Sequence, residues 1–90
     1  MGVRIVIPSY LQPYAGNQAS VEVKGSSVRE CLDNLAEQFP DIERMLLAEN
    51  GELLSYVAVY VNGKDAYPEE LARAVKDGDE VHLLYIIGGG

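Results

Sequence analysis

Residues 27–40 read SVRECLDNLAEQFP, one helix-length segment between two groups of strand-like segments. Ser27 and Glu30 have the spacing of a capping box, in which Ser27 accepts a hydrogen bond from the first turn and Glu30 reaches back. Apolar residues then recur at helical spacing, with polar residues on the other side. These apolar positions are Val28, Leu32, Leu35, Ala36 and Phe39. Pro40 cannot continue the helix, so the segment predicts one amphipathic helix over residues 28–39.

The segments before this helix predict an antiparallel hairpin. Residues 3–7 carry inward-facing valine and isoleucine at every second position, and residues 21–23 repeat this alternation. Residues 8–18 between them are rich in proline, glycine and asparagine, which favours a loop that turns the chain back.

The segments after the helix predict the rest of the sheet. Residues 56–61 are rich in β-branched and aromatic residues, and Asn62-Gly63 is the preferred pair for a tight type I′ turn. The other expected elements are a short second helix at 41–48, a stub strand at 64–66, a short helical turn at 68–75 and a last strand at 81–87. This order predicts an α+β fold, the ubiquitin-like β-grasp, with one main helix packed across a mixed sheet of four to five strands.

Length and charge restrict the class of protein. Ninety residues make one small domain with a single core. The net charge of -7 and the absence of a Lys/Arg cluster along the chain argue against nucleic acid and anionic membrane as partners, and favour a basic protein surface. One cysteine cannot form an internal disulfide, and no signal peptide or segment of transmembrane length is visible. We therefore expect a cytoplasmic protein.

The chain ends on three consecutive glycines, Gly88, Gly89 and Gly90, directly after the last predicted strand. We expect residues 1–87 to form the domain and residues 88–90 to form a flexible tail, because glycine loses the most backbone entropy when it is ordered. A tail without side chains can enter a narrow channel in another protein. Its reactive group would be the Gly90 carboxylate, which a partner enzyme has to activate. A frayed terminus or a cloning remnant is the alternative.

Other side chains with reactive or recognition chemistry are few. Cys31 lies on the apolar side of the helix, so a buried structural thiol is favoured over a reactive one. His82 is the single histidine and has no partner for a metal site. Alternation places His82, Leu84 and Ile86 on the sheet face opposite Val81, which predicts either a docking patch or a face covered by the chain itself. We expect most of the six tyrosines to be half-buried in the sheet.

Several motifs in this order resemble the ubiquitin-like sulfur carriers, a family that includes the small subunit of molybdopterin synthase, the thiazole sulfur carrier and the carrier of thiocarboxylate-dependent cysteine synthesis. The motifs are Val-Asn-Gly at 61–63, Gly-Asp-Glu-Val at 78–81 and the final Gly89-Gly90. The opening Ile-Pro-Ser-Tyr-Leu-Gln-Pro at 7–13, with Gly16, is most similar to the cysteine-synthesis carriers. Gly88 departs from the family, in which a small residue other than glycine usually occupies this position.

The resemblance implies a function for the tail. An ATP-using enzyme would adenylate the Gly90 carboxylate, and persulfide sulfur would then replace AMP to give a thiocarboxylate for cysteine, molybdopterin or thiamin synthesis. Gly88 and Gly89 would form the narrow segment that lets Gly90 enter the channel of the partner enzyme. The carrier would be a monomer when free and a substrate rather than an enzyme, without metal or bound cofactor, and its partners would be the activating enzyme and a sulfur-accepting synthase.

Two alternatives to a free carrier remain open. One is a non-catalytic ubiquitin-like module, either a modifier joined to lysines or a docking domain. The other is a small subunit that stays bound to a sulfur-transferring synthase. Tail chemistry discriminates between them, because each leaves the Gly90 carboxylate in a different covalent or bound state.

Overall fold

A computed structural model describes residues 2–85, which form a mixed sheet, two α-helices and one 3-10 helix. The strands are β1 Val3–Val6, β2 Ser20–Val23, β3 Val57–Val61, β4 Lys64–Asp65 and β5 Glu80–Tyr85. The helices are the 3-10 helix Ser9–Ala15, α1 Val28–Gln38 and α2 Pro40–Leu46. None of the helices in this part of the chain is long and apolar enough to cross a membrane.

The five strands lie in the order β2-β1-β5-β3-β4. β1 and β5 run parallel at the centre, while β2, β3 and β4 each pair antiparallel with a neighbour. Parallel neighbours need a long connection, and α1 lies within that connection. The α+β prediction of a β-grasp sheet with one main helix across it is confirmed.

The core lies between the inner face of the sheet and α1. Alternation puts valine, isoleucine and leucine on this face, and α1 turns its apolar side toward them. The buried strand residues are Val3, Ile5, Val21, Val23, Val57, Val59, Val61, Val81 and Leu83, and those of α1 are Val28, Cys31, Leu32 and Leu35. Within residues 2–85 no polar or charged side chain is buried, so apolar burial is the main stabilising contribution.

The helix start is predicted correctly, with a change in one hydrogen bond. Ser27 Oγ accepts from the backbone N–H of Glu30 at 3.2 Å, as expected of an N-cap. The Glu30 carboxylate, however, accepts from the backbone N–H and the hydroxyl of Ser26 at 2.8 and 3.0 Å, one residue earlier than a capping box requires. These bonds lower the pKa of Glu30, the backbone donor contributing most.

The prediction of a loop over residues 8–18 is wrong for Ser9–Ala15, which form the 3-10 helix. Leu11 and Ala15 are both buried, so the segment covers part of the core instead of crossing the surface. Gly16 and Asn17, with φ of 64° and 62°, then turn the chain toward β2. The proline and glycine content favoured the prediction of a loop. Pro8, however, precedes the helix, and Pro13 is tolerated in so short an element.

The helical turn expected at 68–75 is replaced by turns that cap α1. The first N–H groups of a helix have no partner within the helix. Here the N–H groups of Val28 and Arg29 donate to the carbonyls of Arg73 and Leu71, both at 3.0 Å. The carbonyls of Leu71 and Arg73 therefore complete α1, while those of Glu69 and Glu70 accept within the segment, which forms turns and not a helix.

Hydrogen bonds from the Asn62-Gly63 turn and from Lys76 hold the chain where it enters β5. Asn62 and Gly63 have φ of 51° and 84°, as a type I′ turn requires, so that prediction is confirmed. The Asn62 side-chain amide donates to Asp79 Oδ1 at 3.0 Å and accepts from the backbone N–H of Glu80 at 2.9 Å. The hydrogen bond from Asn62 and a second from the N–H of Lys76 lower the pKa of Asp79. The start of β5 is thus tied to the β3–β4 hairpin.

Candidate functional site

The candidate site is the end of β5, from which the glycine tail continues. Ile86, Gly88, Gly89 and Gly90 lie outside the described residues, and Tyr85 is the last residue that the structure describes. β5 lies between β1 and β3 and pairs with β3 up to the Val57↔Tyr85 pair. The start of β5 is therefore paired with both β1 and β3, and its end, from which the chain continues into the tail, is paired with β3.

Tyr85 links the end of β5 to α2 and packs against two other tyrosines. Its hydroxyl donates to the backbone carbonyl of Met45 in α2 at 2.8 Å. Its ring packs against Tyr10 at 4.3 Å between centroids and meets Tyr56 edge-on at 5.2 Å. Burial raises the pKa of Tyr85, and the nearby phenols of Tyr56 and Tyr14 raise it further. Tyr85 faces the core, as the alternation predicts.

His82 and Leu84 point to the opposite face of the sheet. Leu84 is 44% exposed, so the described segments do not cover it, and the predicted register of β5 is correct. Cross-strand pairs share a sheet face. The pairs Ala58↔Leu84, Tyr60↔His82 and Val6↔His82 therefore add partly exposed apolar side chains to this surface. The structure brings His82 and Leu84 together on one open face, and their docking role stays a prediction.

Charged groups border this face at the start of β5. Glu80 forms an ion pair with Arg4 through one carboxylate oxygen, 3.1 Å from Nη2, and contacts His82 Nε2 at 2.8 Å through the other. The hydrogen bond with His82 lowers the pKa of Glu80, and the Arg4 guanidinium lowers it further, while partial desolvation opposes both. All three groups are partly exposed, so they orient one another without adding much stability.

Cys31 is buried, as predicted. Its side chain is fully buried in α1. A Cβ added at Gly25 would lie 2.8 Å from Cys31 Sγ, so glycine is needed for this close packing. Burial, and then the charge of Glu30, raise the pKa of Cys31 to about 11, so almost no reactive thiolate forms near neutral pH. Within residues 2–85 no group of three or more His, Cys, Asp and Glu could hold a metal ion.

We expect Cys31→Ala to leave any sulfur transfer by this chain unchanged. Loss of Sγ creates a small cavity, which should lower the free energy of unfolding by about 1 kcal/mol. Urea titration and thiocarboxylate formation measure the two effects separately. In the unmodified chain, an aromatic disulfide reagent should leave Cys31 untouched in buffer and react with it in urea. Loss of sulfur transfer in a variant of normal stability would show that Cys31 is the reactive sulfur.

The prediction for the tyrosines is wrong at four of the six positions. Tyr10, Tyr14 and Tyr56 are 44%, 41% and 46% exposed, and Tyr67 is 73% exposed, so the expectation of half-buried sheet residues is wrong for these four. Topology explains two of the positions. The 3-10 helix follows β1, which is parallel to β5, so Tyr10 reaches the end of β5. Tyr56 directly precedes Val57, which pairs with Tyr85.

A β-grasp sheet with an exposed outer face, followed by a glycine-ended segment, defines a ubiquitin-like carrier domain. The chain belongs to the ThiS family, whose model matches residues 5–90. The sulfur carrier protein CysO of Mycobacterium tuberculosis is 33% identical over an alignment of 93 residues that covers all of both chains. These similarities make the chain a sulfur carrier protein of the CysO and ThiS type, not an enzyme.

Solved structures agree with this family. A chain of the BexX/CysO complex of Amycolatopsis orientalis superposes with a TM-score of 0.89 and 34% identity, covering 99% of this chain and 100% of that one. SAMP1 of Haloferax volcanii, with a TM-score of 0.77, is 30% identical and covers 98% of each chain. The predicted resemblance to sulfur carriers is confirmed.

Proposed function

We propose that Gly90 carries the sulfur as a C-terminal thiocarboxylate. The observation that carries this proposal is the family match, which extends through the glycine tail to residue 90. Its support from the described structure comes from β5, because this strand is paired with β3 up to Tyr85 and its outer face is open. A reactive tail on a folded domain can bind first to one enzyme and then to another.

The proposed chemistry has three balanced steps. A Gly90 carboxylate oxygen attacks the α-phosphorus of ATP, and pyrophosphate leaves, which gives an acyl adenylate. The terminal sulfur of an enzyme persulfide then attacks the carbonyl carbon, and AMP leaves with the C–O bonding electrons. A second thiol of the partner enzyme finally attacks the inner sulfur and cleaves the S–S bond, which leaves the thiocarboxylate and an enzyme disulfide. ATP belongs to the activating enzyme.

The chain itself contributes recognition and access. Gly88 and Gly89 add no side chain that could obstruct a channel. We assign docking to His82, Leu84 and Ile86, since apolar residues on an open face commonly mark a protein interface. The partners would be an ATP-dependent activating enzyme and a sulfur-accepting synthase, and CysO of A. orientalis forms a complex with BexX. Cysteine synthesis is the proposed destination on the resemblance of residues 7–13, and the cytoplasmic location stays a prediction.

The test uses a variant extended by one alanine after Gly90. The extension keeps the domain and removes the Gly90 carboxylate, so we expect the activating enzyme to exchange pyrophosphate into ATP with the unmodified chain and not with the extended one. Both proteins should melt at the same temperature. Equal exchange with both would show that Gly90 is not the activated group.

A second candidate function is protein modification. SAMP1 of H. volcanii is 30% identical over nearly all of both chains, and a second H. volcanii structure, also 30% identical, is of small archaeal modifier protein 1. A modifier shares the adenylation step but ends in an amide bond between Gly90 and a lysine amine. A ladder of conjugates that survives thiol reagents in cells would favour the modifier, and free thiocarboxylate would favour the carrier.

A further inference from the structure

Four tyrosines lie close together at the end of β5. Tyr85 is at the centre, the Tyr10 ring lies 4.3 Å from it and the Tyr56 ring 5.2 Å. Tyr14 is close enough for its phenol to raise the pKa of Tyr85. We call Tyr10, Tyr14, Tyr56 and Tyr85 the tyrosine collar. They come from the 3-10 helix, the turn before β3 and the end of β5, and the fold alone brings them together.

Exposed apolar surface is concentrated at this end of the molecule. Five large apolar side chains of residues 2–85 are exposed. Three belong to the collar, and a fourth, Leu84, is the residue before Tyr85 on the opposite face. Partly buried tyrosine adds stability through its inner edge, but the domain does not require three rings to stay more than 40% exposed. Such a patch is typical of a protein-binding surface.

The length of the tail determines what must approach the collar. Five residues follow Tyr85 up to Gly90, and an extended chain spans at most about 3.5 Å per residue. The Gly90 carboxyl group therefore cannot lie farther than about 18 Å from the end of β5. An enzyme that holds this group in an internal active site has to bring the mouth of its channel against the collar.

We propose that the tyrosine collar is the surface that seats against the channel mouth of the activating enzyme. The inference rests on the proposed function. The expected partner surface is apolar and contains Arg or Lys, because aromatic faces attract cations and the chain carries a net charge of -7. Phenol hydroxyls at the rim can also exchange hydrogen bonds with the mouth. The collar is a second contact region, separate from the outer sheet face that holds Leu84.

The test compares three tyrosine-to-serine variants of the full chain. Tyr14→Ser and Tyr56→Ser remove exposed rings of the collar and keep the hydrogen bond between Tyr85 and Met45. Tyr67→Ser is the matched control, since Tyr67 is the most exposed tyrosine and lies beyond the edge strand β4. We expect each collar variant to raise KM for the carrier in pyrophosphate exchange about tenfold with unchanged kcat. Tyr67→Ser should leave both constants unchanged.

Radical footprinting of the unmodified chain gives an independent measurement that no folding defect can obscure. Saturating activating enzyme should protect Tyr14 and Tyr56 from oxidation and leave Tyr67 accessible. Unchanged KM in both collar variants, or equal protection of all three rings, would overturn the collar proposal while wild-type exchange upholds the proposed function. Protection by self-association without enzyme would also overturn it. Absence of exchange with the wild-type chain would overturn both.

Discussion

Replacing Gly89 with tryptophan is expected to abolish adenylation of Gly90 and to leave the melting temperature unchanged. Gly89 follows Tyr85, the last described residue, by four positions and belongs to the predicted tail. An indole one residue before the reacting carboxylate would obstruct a channel that admits bare backbone. Pyrophosphate exchange should fall by at least about a thousandfold, equivalent to about 4 kcal/mol of transition-state stabilisation.

Gly88→Ala is the matched control for this substitution. The resemblance to the sulfur carriers implies that a small residue other than glycine is accepted at this position, so we expect activation close to that of the wild type. A comparison of Gly88→Ala with Gly89→Trp separates channel width from loss of glycine flexibility. Normal adenylate formation by Gly89→Trp would contradict the carrier account.

Leu84→Asp is expected to weaken binding to the activating enzyme by at least about thirtyfold, which corresponds to about 2 kcal/mol. Leu84 is 44% exposed and lies beside Ala58 on the outer face of the sheet. The substitution would remove the apolar contact of the Leu84 side chain with the enzyme. It would also place a carboxylate where binding removes water. The melting temperature should change little, because the side chain is outside the core. Calorimetric titration at fixed salt measures the affinity.

Ala72→Asp is the control for the added charge. Ala72 is exposed in the turns that precede β5, so this variant acquires the same negative charge away from the outer face. We expect its affinity to stay within about twofold of the wild type, since a distant charge acts mainly on the encounter rate. Equal weakening by both variants would attribute the effect to net charge, and unchanged affinity in Leu84→Asp would place the docking face elsewhere.

Local chemistry made most of the fold predictable. The Ser27 cap and the helical repeat define α1, Asn62-Gly63 defines the hairpin, and strict alternation places Leu84 outward. Each signal lies within a few consecutive residues and depends on a backbone preference or a periodicity. Cys31 was predicted in the same way, because helical spacing alone puts it with the buried residues.

The errors concern segments whose structure depends on distant partners. The 3-10 helix forms because Leu11 and Ala15 are buried in the core, and the carbonyls of Leu71 and Arg73 accept hydrogen bonds from α1. The tyrosine collar needs the parallel pairing of β1 with β5 before Tyr10 can meet Tyr85. No local pattern carries this information, since parallel neighbours are widely separated along the chain.

The most direct test of the central claim is the intact mass of the chain after incubation with ATP, the activating enzyme and a persulfide source. The account predicts a gain equal to the replacement of one oxygen by sulfur, located at Gly90 by fragmentation and reversed when the acceptor enzyme is added. The Cys31→Ala variant should show the same gain. An unchanged mass, or added sulfur that maps to Cys31, would contradict the account.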